Sequence, residues 1–180
     1  NTGFDCLLRM LKSRSAGDIE EAVRDWVDPC NNFVFADVHG DIGYLTRGRL
    51  PMRTAQNAWL PVPGWDGKHE WQGSVPFEDL PRIRNPENGL IVTANNKIVG
   101  NDYPHYIALD FTPEFRARRI TQRLETLTDA TAEDMASVHA ESVSIPAGVY
   151  TTALTEITPL DDLSAVAIER LRGWDGEMGA

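Results

Sequence analysis

Cysteine is nearly absent from the 180-residue chain: Cys6 and Cys30 are the two, and neither belongs to a Cys-x-x-Cys pair. Two thiols cannot complete a tetrahedral zinc site, and they leave open either one disulfide or none. Histidine is scarce too. His39, His69, His105 and His139 stand about thirty residues apart, which gives no metal-ligand spacing. Basic residues fall short of acidic ones, 17 against 27, so the net charge is −10. That balance opposes the phosphate backbone of a nucleic acid, or an anionic membrane, as partner. No run approaches the roughly 18 apolar residues of a membrane-spanning helix, and the first residues lack the basic-then-apolar pattern of a signal peptide. Localisation is not legible in these residues.

What the chain has is the composition of an ordinary globular protein, 42% apolar and 24% charged. Its length suits one domain with a core, or part of a larger one. Phe4, Leu7, Leu8 and Leu11 recur at helical spacing and predict an amphipathic helix over residues 3–13. A second helix is predicted to begin near Asp18, which caps while Glu21 reaches back, with Ile19, Ala22, Val23 and Trp26 on one face and Pro29 as the stop. Residues 32–37 (NFVFAD) and 42–47 (IGYLTR) are strand-like runs around Val38-His39-Gly40-Asp41, a hairpin signal with Gly40 supplying the turn.

Between residues 48 and 88 periodicity vanishes. The segment holds six of the eleven prolines and three of the five tryptophans, Trp59, Trp65 and Trp71. Disordered segments are poor in tryptophan, so the expectation is a long ordered loop pinned by aromatic packing. A helix from Pro113 to Thr126 follows, with Thr112 as N-cap and Phe115, Ile120, Leu124 and Leu127 inward. Thr131 with Asp134 starts another, and a last one follows Thr158-Pro159 through Leu163, Val166, Ala167 and Leu171. The predicted organisation is residues 1–31 helical, 32–47 a hairpin, 48–88 a loop, 89–104 a strand with its following loop, and 112–180 helical, all one piece of a larger domain. A hairpin and one further strand are too little sheet to stand alone. The chain is expected to complete its sheet with strands it does not contain.

These parts are organised around residues 89–104, GLIVTANNKIVGNDYP. Leu90, Ile91 and Val92 predict a strand buried on both faces, ending at Asn95-Asn96. A strand end is a rigid mount for a side chain. An asparagine amide donates hydrogen bonds without changing charge, which suits a donor to an oxyanion, while a plain turn uses the same residues equally well. Arg116, Arg118, Arg119 and Arg123 concentrate positive charge on the next helix, where a solvated or salt-bridged face accounts for most of it. His39 fits an exposed turn residue better than a general base, and His69 fits packing between Trp65 and Trp71. Asp37, Asp41 and Asp102 lack the dense oxygen spacing of a calcium loop.

Five phrases in order give a more specific reading: NFVFADVHGDIGYLTRGRLPMR at 32–53, LPVPGWDGKHEWQGSVPFEDLP at 60–81, NPENGLIVTANNKIVGNDYP at 85–104, EFRARRITQRL at 114–124, and the helix leading into Trp174-Asp175-Gly176. Together they resemble the β-subunit of the penicillin acylase family, amidases of the N-terminal-nucleophile hydrolase class. The resemblance implies an α+β fold, part of a four-layer αββα architecture with helices flanking an incomplete antiparallel sheet. It also implies a parent enzyme that hydrolyses linear amides, such as the acyl side chain of a β-lactam or an acyl-homoserine lactone, through a seryl ester. In that family an N-terminal serine exposed by autoproteolysis attacks the carbonyl, with its own α-amino group as base.

This chain begins Asn1-Thr2-Gly3, so it is expected to be an internal part of the subunit and inert by itself. Its implied partners are a small-molecule acyl amide and the rest of its precursor, the α-subunit and remaining β-subunit, with self-association in isolation. For site residues, the resemblance implies that Asn95, ahead of its neighbour Asn96, is the oxyanion donor. Arg116, ahead of Arg119, matches the arginine that positions it. No catalytic cofactor is implied. Some family members bind a structural calcium through segments absent here, and an exported parent is implied without being encoded in these residues. The competing reading is a non-catalytic binding or structural module, in which the Trp-rich loop holds a partner and Asn95 is a turn residue.

Overall fold

Aromatic and β-branched residues at Phe33, Val34, Phe35, Ile42, Tyr44 and Thr46 favour extended backbone. In the computed structural model, which describes residues 3–179, they lie in strands β1 (Asn31–Ala36) and β2 (Ile42–Arg47). The expectations placed on Asn1, Thr2 and Ala180 lie outside the described residues. The strands pair antiparallel, with Phe33 opposite Leu45 and Ala36 opposite Ile42. Gly40 in the connection has φ 92, where a Cβ is strained. The Asp37 carboxylate closes this turn by accepting from the backbone N–H groups of Ala16 at 2.8 Å, His39 at 2.8 Å and Asp41 at 3.1 Å. These donors, Ala16 foremost, hold its carboxyl below the usual range.

The chain divides into two units, Asn1–Thr112 and Pro113–Ala180. The first opens with α1 (Phe4–Met10) and α2 (Ala16–Ala22). Ser15 caps α2 by accepting from Asp18 N–H at 3.1 Å, one turn before the predicted Asp18 cap. Asp18 instead accepts from Arg14 N–H at 3.0 Å. α1 also differs from expectation in its orientation. Cys6 is its buried residue, while Phe4, Leu7, Leu8 and Leu11 are exposed, and Arg9 reaches Asp25 at 2.9 Å. Both cysteines are free thiols.

The third strand is β3 (Arg82–Arg84), antiparallel to β2, so the sheet order is β1-β2-β3. Two expectations are corrected here. Residues 90–94 carry no strand, and residues 48–88 hold β3, the short helix α3 (Gln56–Trp59) and a 3-10 turn at Phe77–Asp79 rather than one continuous loop. Arg82 and Arg84 carry no apolar signal. They are held by Glu20 of α2, at 2.5 and 2.8 Å, and such charge suits a sheet edge. Trp59, Trp65 and Trp71 do not pin the segment either; all three are exposed. Backbone bonds pin it instead, from Met52 to Gly73 at 3.0 Å, Gln72 to Met52 at 2.9 Å and Val75 to Leu50 at 2.8 Å. The core behind them is aliphatic: Leu45, Leu50, Val75 and Leu80 pack with Ala16, Val23 and Phe35. Arg47 closes its rim, 3.9 Å from the Trp26 ring centre and 4.4 Å from that of Phe33.

The second unit is helical: α4 (Phe115–Leu124), α5 (Ala132–Ala140), α6 (Ile145–Thr155) and α7 (Asp162–Arg172). α4 starts after Glu114, later than the predicted Thr112 cap, and Glu114 makes no side-chain cap bond. Thr131 and Asp134 form a reciprocal capping box for α5, and Asp161 and Ser164 do the same for α7. α6 has no counterpart in the sequence reading. Its Val, Tyr and Thr content is not helix-favouring, but Ser144 caps it and Pro146 sits in its first turn. The architecture is α+β, with helices beside an antiparallel sheet.

Candidate active site

Successive side chains of a strand point to opposite faces. Leu45 therefore enters the core while Tyr44 and Thr46 face the other way, where Thr46 pairs across the strands with Asn32. On that face Tyr44 and Thr46 are both buried, and burial pushes the Tyr44 hydroxyl up to about 12, so it stays a neutral donor. It donates to Asn32 Oδ1 at 2.9 Å and stands 2.6 Å from Thr46 Oγ1. With Oδ1 taken by the tyrosine proton, the Asn32 amide turns its Nδ2 outward and donates to Thr93 Oγ1 at 2.6 Å. Residues 90–94 are thereby attached to the polar face of the hairpin.

Two residues beyond Thr93 the backbone turns sharply. Ala94 is buried, and its N–H donates to Asn96 Oδ1 at 3.0 Å, which removes a donor that a strand ladder at this point needs. The other end of the Asn96 amide donates to Lys97 O at 3.1 Å. Asn95 has φ 61, a left-handed conformation that asparagine tolerates better than other non-glycine residues. Its carbonyl accepts from Thr112 N–H at 2.9 Å, and its side chain is exposed. Further along, Tyr103 donates to Asp79 O at 2.7 Å.

Asn95 belongs to the first unit and Arg116, in the first turn of α4, to the second. The rest of the arginine row on α4 is partly accounted for within the second unit. Arg119 Nε bonds Glu141 Oε1 at 2.5 Å and Arg123 Nε lies 2.7 Å from Glu141 Oε2, so both clamp the connection between α5 and α6. His39 is exposed in the hairpin turn. His69 is half-buried, its carbonyl accepting from Asn57 Nδ2 at 2.6 Å. Asp37 and Asp41 turn their oxygens to N–H donors, Asp41 taking Asn85 Nδ2 at 2.8 Å, which does not fit a calcium shell of roughly six to eight oxygens. Among the described residues no group of His, Cys, Asp or Glu gathers to hold a metal, and no helix is long and apolar enough to cross a membrane. Sequence reasoning missed the Asn32, Tyr44 and Thr46 network, whose members are ordinary strand residues with no local signal linking them to Thr93.

A family model described as penicillin amidase matches residues 1–180. The chain is 42% identical over 178 residues to Penicillin acylase 2 proenzyme of a Pseudomonas species, covering 98% of this chain and 23% of that protein. It is 33% identical over 157 residues to Penicillin G acylase of Escherichia coli, covering 81% and 18% respectively. Against the acyl-homoserine lactone acylase QuiP of Pseudomonas fluorescens the identity is 29% over 117 residues, 65% of this chain and 14% of that one. Among solved structures, a thermostable penicillin G acylase from Alcaligenes faecalis superposes with a TM-score of 0.72 at 25% identity, covering 96% of this chain and 32% of that chain. The chain spans less than a quarter of the length of these curated relatives.

Proposed function

Because the chain belongs to the penicillin amidase family, we propose that it is a section of an amidohydrolase that cleaves linear amides by way of a seryl ester. In this reading a serine outside these 180 residues is the nucleophile and its own α-amino group, titrating near pH 8, is the base. The serine oxygen bonds to the amide carbon, the carbonyl π electrons move to oxygen, and the hydroxyl proton passes to the amine. The Asn95 amide donates to that oxyanion. Collapse breaks the carbon–nitrogen bond, the leaving amine takes the proton, and water then hydrolyses the ester by the same route. Nucleophile, base and oxyanion donor are all protein groups, so the steps require no cofactor. Arg116 is assigned to position the Asn95 amide, and the sheet is completed into a four-layer αββα domain by the rest of the precursor.

The observation that supports this reading most is the Asn95 backbone: a left-handed asparagine held through a buried alanine on one side and its own carbonyl on the other. Strained, over-determined positions of this kind gather at functional sites. The Asn96 amide is engaged with loop backbone at both ends. The acyl side chain of a β-lactam and the acyl group of a homoserine lactone are the substrates to test first, as suggested by what the relatives are named for. The test is mass spectrometry of the full-length parent quenched during turnover of a slow acyl amide. A mass increase equal to the acyl group, on a serine at a new N-terminus, is expected. Turnover with no acyl adduct, or an adduct on another residue, contradicts the mechanism.

A further inference from the structure

We propose that Asn32 is a positioning residue for Asn95: its side-chain amide, oriented by Tyr44 and Thr46, holds Thr93 and so fixes the backbone that presents the Asn95 amide. This rests on the assignment of Asn95 as the oxyanion donor. The holds on residues 93–95 include Asn32 Nδ2 on the Thr93 hydroxyl, Asn96 Oδ1 on the Ala94 N–H, and Thr112 N–H on the Asn95 carbonyl. The second is internal to the loop, and the third comes from a residue at the edge of the unit. The Asn32 bond reaches the sheet.

The sheet end of that bond is rigid. Thr46 is buried on central strand β2, and its hydroxyl meets both Tyr44 Oη at 2.6 Å and Asn32 Oδ1 at 3.3 Å. The Asn32 amide joins the two sides, its oxygen accepting from Tyr44 at 2.9 Å and its nitrogen donating to Thr93 at 2.6 Å. An oxyanion donor works only within a few tenths of an ångström of its correct place, and buried networks of this kind supply such rigidity. Asn32 itself touches no reacting atom in this assignment.

A double-mutant cycle on the full-length parent tests the proposal. Asn32→Leu, similar in shape and unable to hydrogen-bond, is expected to lower kcat by about tenfold to a hundredfold with KM within about threefold. In an Asn95→Ala background the same substitution is expected to lower kcat by less than about twofold, because there is no amide left to position. A general structural role predicts full additivity instead. Thr93→Val removes the acceptor while keeping the side-chain shape, and serves if Asn32→Leu does not yield folded enzyme by circular dichroism. If Asn95→Ala is slow while Asn32→Leu and Thr93→Val match wild type, or if their losses add in full to that of Asn95→Ala, the positioning role is overturned and the oxyanion assignment stands. If Asn95→Ala itself keeps the wild-type kcat, the assignment falls and the positioning role with it.

Discussion

The side-chain amide of Asn32 meets the hydroxyl of Thr93 at 2.6 Å across 61 positions of sequence. Through this pair the polar face of a hairpin reaches the loop that carries Asn95. The opposite face of the same hairpin builds the core with Leu45 and Phe35. Strand alternation thus gives the core to one face and the candidate site to the other.

The Asp37 carboxylate should make stability depend on pH at the acid end. Its folded-state pKa is depressed by the N–H donors of Ala16, His39 and Asp41. In the window between the depressed value and the unfolded value of about 3.9, the unfolded chain binds more protons, so stability rises with pH there. The contribution is fully present above about pH 4 and is lost as pH falls through the folded value. Asp37→Asn is expected to lower the melting temperature by several degrees at pH 7 and to flatten its fall below pH 4, measured by circular dichroism.

Gly48 is expected to reject a side chain. It has φ 133, and a Cβ there stands 2.4 Å from Cys30 Sγ and 2.7 Å from Cys30 Cα. Gly48→Ala should cost about 1–3 kcal/mol, read as a lower urea midpoint at unchanged slope. Adding Cys30→Ala removes the sulfur but not the backbone carbon, so it should restore only part of the loss.

The exposed apolar face of α1 should drive association of the isolated 180-residue chain. Phe4, Leu8 and Leu11 are 72%, 62% and 84% exposed. Such a surface favours self-contact or the contact it has in a larger protein. Sedimentation velocity is expected to show oligomers that Leu8→Glu with Leu11→Glu reduces. A monomer at all concentrations contradicts this.

The isolated chain should also be inert as an amidase, because the proposed nucleophile and base lie outside it. Hydrolysis of a chromogenic acyl amide by the purified 180 residues, above a buffer control and unaffected by Asn95→Ala, contradicts the assignment of the chemistry.

The hairpin is legible in the sequence because Gly40 and the flanking Phe33, Phe35, Ile42 and Tyr44 each act locally. The α5 cap is legible because Thr131 and Asp134 need only each other. What escapes is whatever depends on distant partners. β3 is a strand because Glu20 neutralises Arg82 and Arg84 from another element, and no window around RIR contains that information. Leu90 to Ala94 have the right residues for a strand, but Asn96 claims the Ala94 N–H. The outward face of α1 is invisible for the same reason: apolar spacing fixes a stripe without saying what covers it. At the site, Asn95 is pointed to by five ordered phrases, while Asn32 and Tyr44 emerge only once the strands are paired.

The central claim is tested most directly by kcat of the full-length parent carrying Asn95→Ala. An oxyanion hydrogen bond strengthens as charge develops and is worth roughly 3 to 4 kcal/mol, so kcat should fall by about a hundredfold to a thousandfold with KM nearly unchanged. Asn96→Ala should do much less, and Arg116→Ala should lie between the two. A kcat for Asn95→Ala within about threefold of wild type, in enzyme shown to be folded, contradicts the account.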